Sequence, residues 1–153
     1  MESHPVQTIN VHDYLRPKLC DLYENDCIFD KFEVSISGDS TTGGIKAMTG
    51  SYNNYFHIYN TQEPSYETIL QADKNAFRAL KVPNAFGNTS NGNAVSSIGR
   101  VGVPKDGKNG IKKDDINPDT MDYGRKILHS SWHPREDTLA VAATNNLFIF
   151  TYY

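Results

Sequence analysis

The chain has 153 residues, 38% of them hydrophobic, and its 15 Lys and Arg against 18 Asp and Glu leave a net charge of −3. So small an imbalance gives no general attraction to nucleic acid or to an anionic membrane surface, and no apolar run nears the ~18–20 residues of a membrane span. Met1 to Pro5 lacks the start of a secretory signal, and Cys20 and Cys27 match neither a zinc spacing nor a disulfide framework. A soluble protein with reduced thiols, cytoplasmic and also nuclear, is the expectation.

Val11 to Tyr23 reads as helical, interrupted at Pro17. Cys27 to Val34 is rich in bulky apolar residues with partial alternation and reads as a strand. Ile45 to Ser51 and Tyr55 to Tyr59 are two more, with Tyr52-Asn53-Asn54 as the turn between them, because Asn tolerates left-handed backbone angles. Glu67 to Ala72 is a fourth, outer strand. Residues 74–124 change character: Asn, Gly, Lys, Ser and Asp dominate. Asn84 to Asn93 and Lys105 to Asp115 hold almost nothing that could form a core, so the stretch reads as a flexible polar insertion. Apolar patterning returns in Lys126 to Trp132, Thr138 to Ala143 and Leu147 to Tyr152, with a turn at Thr144-Asn145-Asn146.

The two patterned regions repeat each other. A shift of 92 positions lays Lys46–Ile58 on Thr138–Phe150 without a gap, with Asn53-Asn54 on Asn145-Asn146, Phe56 on Phe148 and Ile58 on Phe150. A shift of 100 lays Ile28 on Leu128 and Phe32 on Trp132; a longer loop from Ser37 to Gly44 in the first copy absorbs the difference. Three strands ending in a hairpin, with an aromatic-rich closing strand, are how WD-repeat propellers build a blade. Pattern alone supports a β-propeller or β-sandwich interaction module.

Longer runs narrow this. Val11-His12-Asp13-Tyr14-Leu15-Arg16, Leu22-Tyr23-Glu24-Asn25-Asp26-Cys27-Ile28-Phe29-Asp30-Lys31-Phe32-Glu33, Met48-Thr49-Gly50-Ser51-Tyr52-Asn53-Asn54, Lys126-Ile127-Leu128-His129 and Trp132-His133-Pro134 together resemble the C-terminal portion of the B-type regulatory subunits of protein phosphatase 2A. So does the closing Ala143-Thr144-Asn145-Asn146-Leu147-Phe148-Ile149-Phe150. The resemblance implies an all-β chain forming the last two blades of a seven-bladed WD-repeat propeller. Residues 1–73 are then the penultimate blade with its preceding connection, 74–124 the insertion, and 125–153 a final blade lacking its fourth strand. It also implies a non-catalytic targeting subunit, with the phosphatase scaffold and catalytic subunits and phosphoprotein substrates as partners, and with no cofactor. A generic propeller interaction module without a phosphatase link is the alternative.

Tyr23, Glu24, Asp26, Phe29 and Lys31 are the candidate substrate-binding residues. They mix carboxylates with aromatics at what reads as the start of an inner strand, where a rim of the propeller can hold basic segments, and the resemblance points to the same run. No catalytic constellation is legible: no cysteine or histidine has a partner in a usable order, and Gly43-Gly44 and Gly99-Arg100-Val101-Gly102 lack the spacing and lysine of a phosphate loop. His129 and His133 flank Trp132 in a strand pattern and read as structural, with no metal expected. The lysines of Lys105 to Lys113 read as a solvated loop.

Overall fold

Two asparagines set the first hairpin. Asn53 and Asn54 sit at φ 55° and 56°, the left-handed pair that a tight turn between twisted strands requires, and Tyr55 N–H closes it on Tyr52 C=O at 3.0 Å. The computed structural model describes residues 3–5, 7–38, 45–62, 67–73, 100–103, 111 and 113–152.

Around that turn lies a four-stranded antiparallel sheet in chain order: β1 (Val34–Ile36), β2 (Lys46–Gly50), β3 (Tyr55–Asn60) and β4 (Glu67–Gln71). Before it, the chain forms a 3₁₀ stretch, Asp13–Lys18, and a six-residue helix α1, Leu19–Glu24. Pro17 lies within the 3₁₀ stretch, and α-helical bonding begins after it. The second sheet has the order β5-β8-β7-β6, from β5 (Arg100–Val103), β6 (Ser130–Trp132), β7 (Thr138–Ala143) and β8 (Asn146–Tyr152). Its β6, β7 and β8 are antiparallel.

Alternation along the strands decides what each face meets. Met48, Phe56 and Ile58 of the first sheet pack on Trp132, Leu139, Val141, Phe148 and Phe150 of the second, with Ala72 and Ile127 in the same cluster. Phe56 is wholly buried and meets Phe150 at 4.9 Å between ring centroids, tilted. The opposite face and turn end of the first sheet carry a second cluster, Leu15, Leu22, Cys27, Tyr52, Ile69, Ile116 and Met121.

The repeat survives, but its phase needs correction. In the first copy Gly50 pairs with Phe56 and Tyr52 opens the tight turn, so Ser51 and Tyr52 together oppose Tyr55, a one-residue bulge. In the second copy Ala143 pairs directly with Asn146 around a two-residue turn, with Thr144 at φ 53°. The shift of 92 therefore holds for β2 on β7, while β3 matches β8 at 91. Phe56 corresponds to Leu147, not Phe148, and Ile58 to Ile149, not Phe150. The inner strands match at 96 rather than 100: Val34 pairs with Thr49 as Ser130 pairs with Val141, so Ile36, not Phe32, stands where Trp132 does. With these offsets, equivalent side chains point the same way in both sheets, as stacked repeats require. Phe56 faces the second sheet, and Leu147, 62% exposed, faces away from the first.

Three further expectations change. Cys27 to Val34 is not a strand: Cys27–Phe29 is a 3₁₀ turn and pairing begins only at Val34. The second sheet does not lack a fourth strand, since β5 lies parallel to β8, with Arg100 opposite Ile149 and Val103 opposite Tyr152. An open edge offers unpaired N–H and C=O groups, and a short run with two β-branched residues takes them. Nor is all of 74–124 a polar excursion. Ile111 N–H reaches Ile69 C=O at 2.8 Å, and Ile116 and Met121 are core residues. Asn84 to Asn93, Lys105 to Gly110 and the loop tip 39–44 lie outside the described residues.

Gly50 makes the turn's closest approach. A Cβ there would stand 1.9 Å from the Ile127 carbonyl oxygen, so any side chain forces the backbones apart. Gly50→Ala is expected to cost more than the about 1–3 kcal/mol of ordinary overpacking, and Phe56→Ala about 3–5 kcal/mol. Urea unfolding monitored by tryptophan fluorescence checks both; an unchanged midpoint for Gly50→Ala contradicts the docking of this turn.

Candidate functional site

The run Tyr23 to Lys31 forms a small platform on top of the second cluster. One face of α1 is fixed by Leu22, which is buried, while Leu19 and Tyr23, four residues apart, share an exposed face. Asn25 ends the helix: its N–H lies 3.2 Å and its side-chain amide 2.7 Å from the Asp21 carbonyl, and both donate to it. Asp26 then takes φ 57°, a left-handed residue that reverses the chain, and Cys27–Phe29 follows as the 3₁₀ turn with Cys27 buried beneath it. Phe29 N–H bonds Asp26 C=O at 3.2 Å, and Asp30 N–H bonds Cys27 C=O at 3.1 Å.

The hydrophobic pattern is inverted here. Tyr23 is 68% exposed and Phe29 72%, with Leu19 and Ile28 also out in solvent. Four large apolar side chains within eleven residues of one platform are more than a scattered surface carries. Glu24, Asp26 and Lys31 are exposed beside them, and among the described residues none of the three makes an ion pair. Of the five candidate residues, all lie on the platform and its exit, none in a strand. Reading the run as the start of an inner strand misses the helix and turn, because bulky apolar residues at short spacing suit either.

What holds the platform is not legible in the sequence. Tyr52, the bulged residue of the first hairpin, is buried and places its hydroxyl 2.9 Å from Cys27 C=O and 3.1 Å from Asp30 Oδ2, one hydrogen shared between two acceptors. Lys126 Nζ lies 2.6 Å from the other Asp30 oxygen. Burial, and then the Asp30 carboxylate, push the Tyr52 hydroxyl well above its usual range, so it remains a donor. Burial and Asp30 also raise the Cys27 thiol, keeping it protonated and unreactive. Lys18 ties the helix down from its other side, reaching Asp21 at 3.2 Å and Asp119 at 2.6 Å.

A second polar group lies on the far face of the first sheet. His12 Nε2 and the Tyr14 hydroxyl both reach Ser51 Oγ, at 3.0 and 2.8 Å. His57 Nδ1 and the Tyr59 hydroxyl both reach Glu67 Oε1, at 2.7 and 2.8 Å. Ring contacts of His12 and Tyr14 with His57, each 6.2 Å between centroids, join the two groups and seat the start of the 3₁₀ stretch on the sheet. Among the described residues no cluster of three or more His, Cys, Asp or Glu could hold a metal ion. His129 lies 3.4 Å from Glu33, while His133 accepts the Arg135 and Glu136 amides in a turn.

Two stacked, four-stranded sheets of repeated order, with an exposed aromatic and acidic platform beside the first, define a repeat-built β-protein. No protein-family model matches the chain. It is 50% identical to the B regulatory component of protein phosphatase PP2A from Schizosaccharomyces pombe, over 99% of this chain and 32% of that protein. It is 45% identical to the human B gamma isoform of the 55 kDa regulatory subunit of serine/threonine-protein phosphatase 2A, over 98% of this chain and 29% of that protein. To the regulatory subunit phr2AB of Dictyostelium discoideum it is 40% identical, over 98% of this chain and 27% of that protein. Along nearly its whole length the chain is thus a homologue of phosphatase 2A B-type regulatory subunits, and it spans about a third of their length.

The seam sets a pH dependence. Burial, then the neighbouring His57 and Lys113, lower the His12 pKa from 6.5 to about 4. Folded His12 is therefore neutral between those values while the unfolded chain takes up a proton, so stability falls as pH drops through 6.5 and levels off near 4. Discounted for partial exposure, the loss is on the order of 1–2 kcal/mol. Glu67 acts lower: burial alone opposes its charge, but the His57 and Tyr59 hydrogen bonds outweigh that and depress its pKa, so its contribution vanishes only in stronger acid. Denaturation midpoints between about pH 7 and 4 should decline for the native chain and stay level for His12→Gln; parallel declines in both contradict the assignment.

Proposed function

We propose that this chain is part of a non-catalytic regulatory subunit of protein phosphatase 2A, contributing two neighbouring blades of a seven-bladed WD-repeat propeller. The observation that carries the reading is homology over 98–99% of the chain to proteins named as regulatory subunits of that phosphatase. In this reading the partners are the scaffold and catalytic subunits and phosphoprotein substrates, in cytoplasm and nucleus, and hydrolysis belongs to the catalytic subunit.

Substrate recruitment falls to Tyr23, Glu24, Asp26, Phe29 and Lys31. Their exposed rings offer apolar contact, and the two carboxylates favour a basic segment arriving from solvent. Rim charges act chiefly on association rate, while an aromatic anchor that becomes buried is worth about 2 kcal/mol or more. In the full-length subunit assembled with its phosphatase, Phe29→Ala should lower substrate affinity about 30-fold at every salt concentration. Asp26→Lys should slow association at low salt and matter little at high salt. Co-purified scaffold subunit should be unchanged in both. Native affinity in both variants removes the platform from recruitment, and loss of scaffold makes it an assembly element instead.

A further inference from the structure

We propose that Asp30, Lys126 and Tyr52 are positioning residues that hold the platform in its binding geometry, an inference that rests on the platform being the substrate-recruiting surface. Three observations lead to it. Phe29 and Tyr23 are exposed aromatics with no core to fix them, so their placement depends on the backbone between them. That backbone contains a left-handed non-glycine residue, Asp26, bonded back to Tyr23 C=O at 3.1 Å, and beyond it only Phe29 N–H on Asp26 C=O and Asp30 N–H on Cys27 C=O, at 3.2 and 3.1 Å, close the turn locally. The outside support converges on the end of the turn. Tyr52 reaches Cys27 C=O and Asp30, and Lys126 reaches Asp30, from segments 22 and 96 residues away in sequence.

The Asp30 pair is also built to be held rather than to bind. Asp30 is 11% and Lys126 29% exposed, far less than Glu24 and Asp26 on the same platform, which are open to solvent. A pair so enclosed is screened weakly by salt and keeps its geometry as ionic strength changes. A segment docking on Phe29 then meets a surface already in place. Without the clamp, the turn must be ordered during binding, which costs affinity through the order of each freed side chain and its backbone.

The test is a double-mutant cycle in the full-length subunit assembled with its phosphatase, read as dissociation constant for an arginine- and leucine-rich peptide probe. Lys126→Met and Tyr52→Phe should each weaken binding about 3- to 10-fold, and Lys126→Arg, which keeps the ion pair, should restore it. The decisive arm adds Phe29→Ala. Since the clamp acts through the rings it positions, of which Phe29 is the nearer, Lys126→Met should cost clearly less in that background. If Phe29→Ala weakens binding but the clamp variants do not, or if the Lys126→Met loss persists undiminished beside Phe29→Ala, the clamp is wrong and the platform stands. If Phe29→Ala itself leaves binding unchanged, the platform reading fails and the clamp falls with it.

Discussion

The rest of the structure depends on the docking of one hairpin turn. Gly50 lets β2 run against the Ile127 backbone, Ser51 C=O takes the Ile127 N–H at 3.0 Å, and Asn54 N–H donates to Arg125 C=O at 3.1 Å. Tyr52 bridges Lys126 as an isolated antiparallel pair. Because that segment continues into β6, the turn fixes the first sheet against the second. Because Tyr52 also points beneath the platform, the same turn fixes the candidate site. A bulge of one residue thereby serves both purposes: it turns Tyr52 out of the ladder, and the second hairpin, which has no bulge, has no counterpart to it.

Seen from that turn, the molecule sorts its polar groups into two kinds. Those in the seam, His12 and Tyr14 on Ser51 and His57 and Tyr59 on Glu67, are buried or half-buried, hydrogen-bonded in two groups, and they join elements. Those on the platform, Glu24, Asp26 and Lys31, stand open beside exposed rings. In the proposed reading it is the second kind that meets a partner. The homology to phosphatase regulatory subunits and the exposed rings converge on one reading, in which chemistry resides elsewhere and this chain supplies surface.

Much of the fold is legible in the sequence, and the failures have physical causes. Thr138–Ala143 is legible to the residue, and β2, β3, β4 and β8 to within a residue or two, because alternation and Asn turns are local signals. The early helical run is legible too, but Pro17 lies inside its 3₁₀ part, Asp13–Lys18, rather than breaking it. The repeat's phase is not, since an ungapped match rewards aligned asparagines and cannot see that Tyr52 bulges. The strand expected over Cys27 to Val34 fails because its apolar residues serve two faces of a turn, Cys27 inward and Ile28 and Phe29 outward, which mimics alternation. The parallel pairing of β5 and the core roles of Ile116 and Met121 are hidden in polar surroundings, where isolated apolar residues carry no period. The five candidate residues do lie together, but on a helix and a turn rather than on a strand. Asp30, Lys126 and Tyr52 are joined only by the fold.

In the proposed reading, Leu19 to Lys31 is a preformed surface that a partner covers. Hydrogen exchange of the assembled, full-length protein with and without a bound phosphoprotein substrate measures this most directly. Added protection is expected in Leu19 to Lys31, with the turn Tyr52 to Tyr55 unchanged because it is already docked. Protection that leaves Leu19 to Lys31 untouched and appears elsewhere contradicts it.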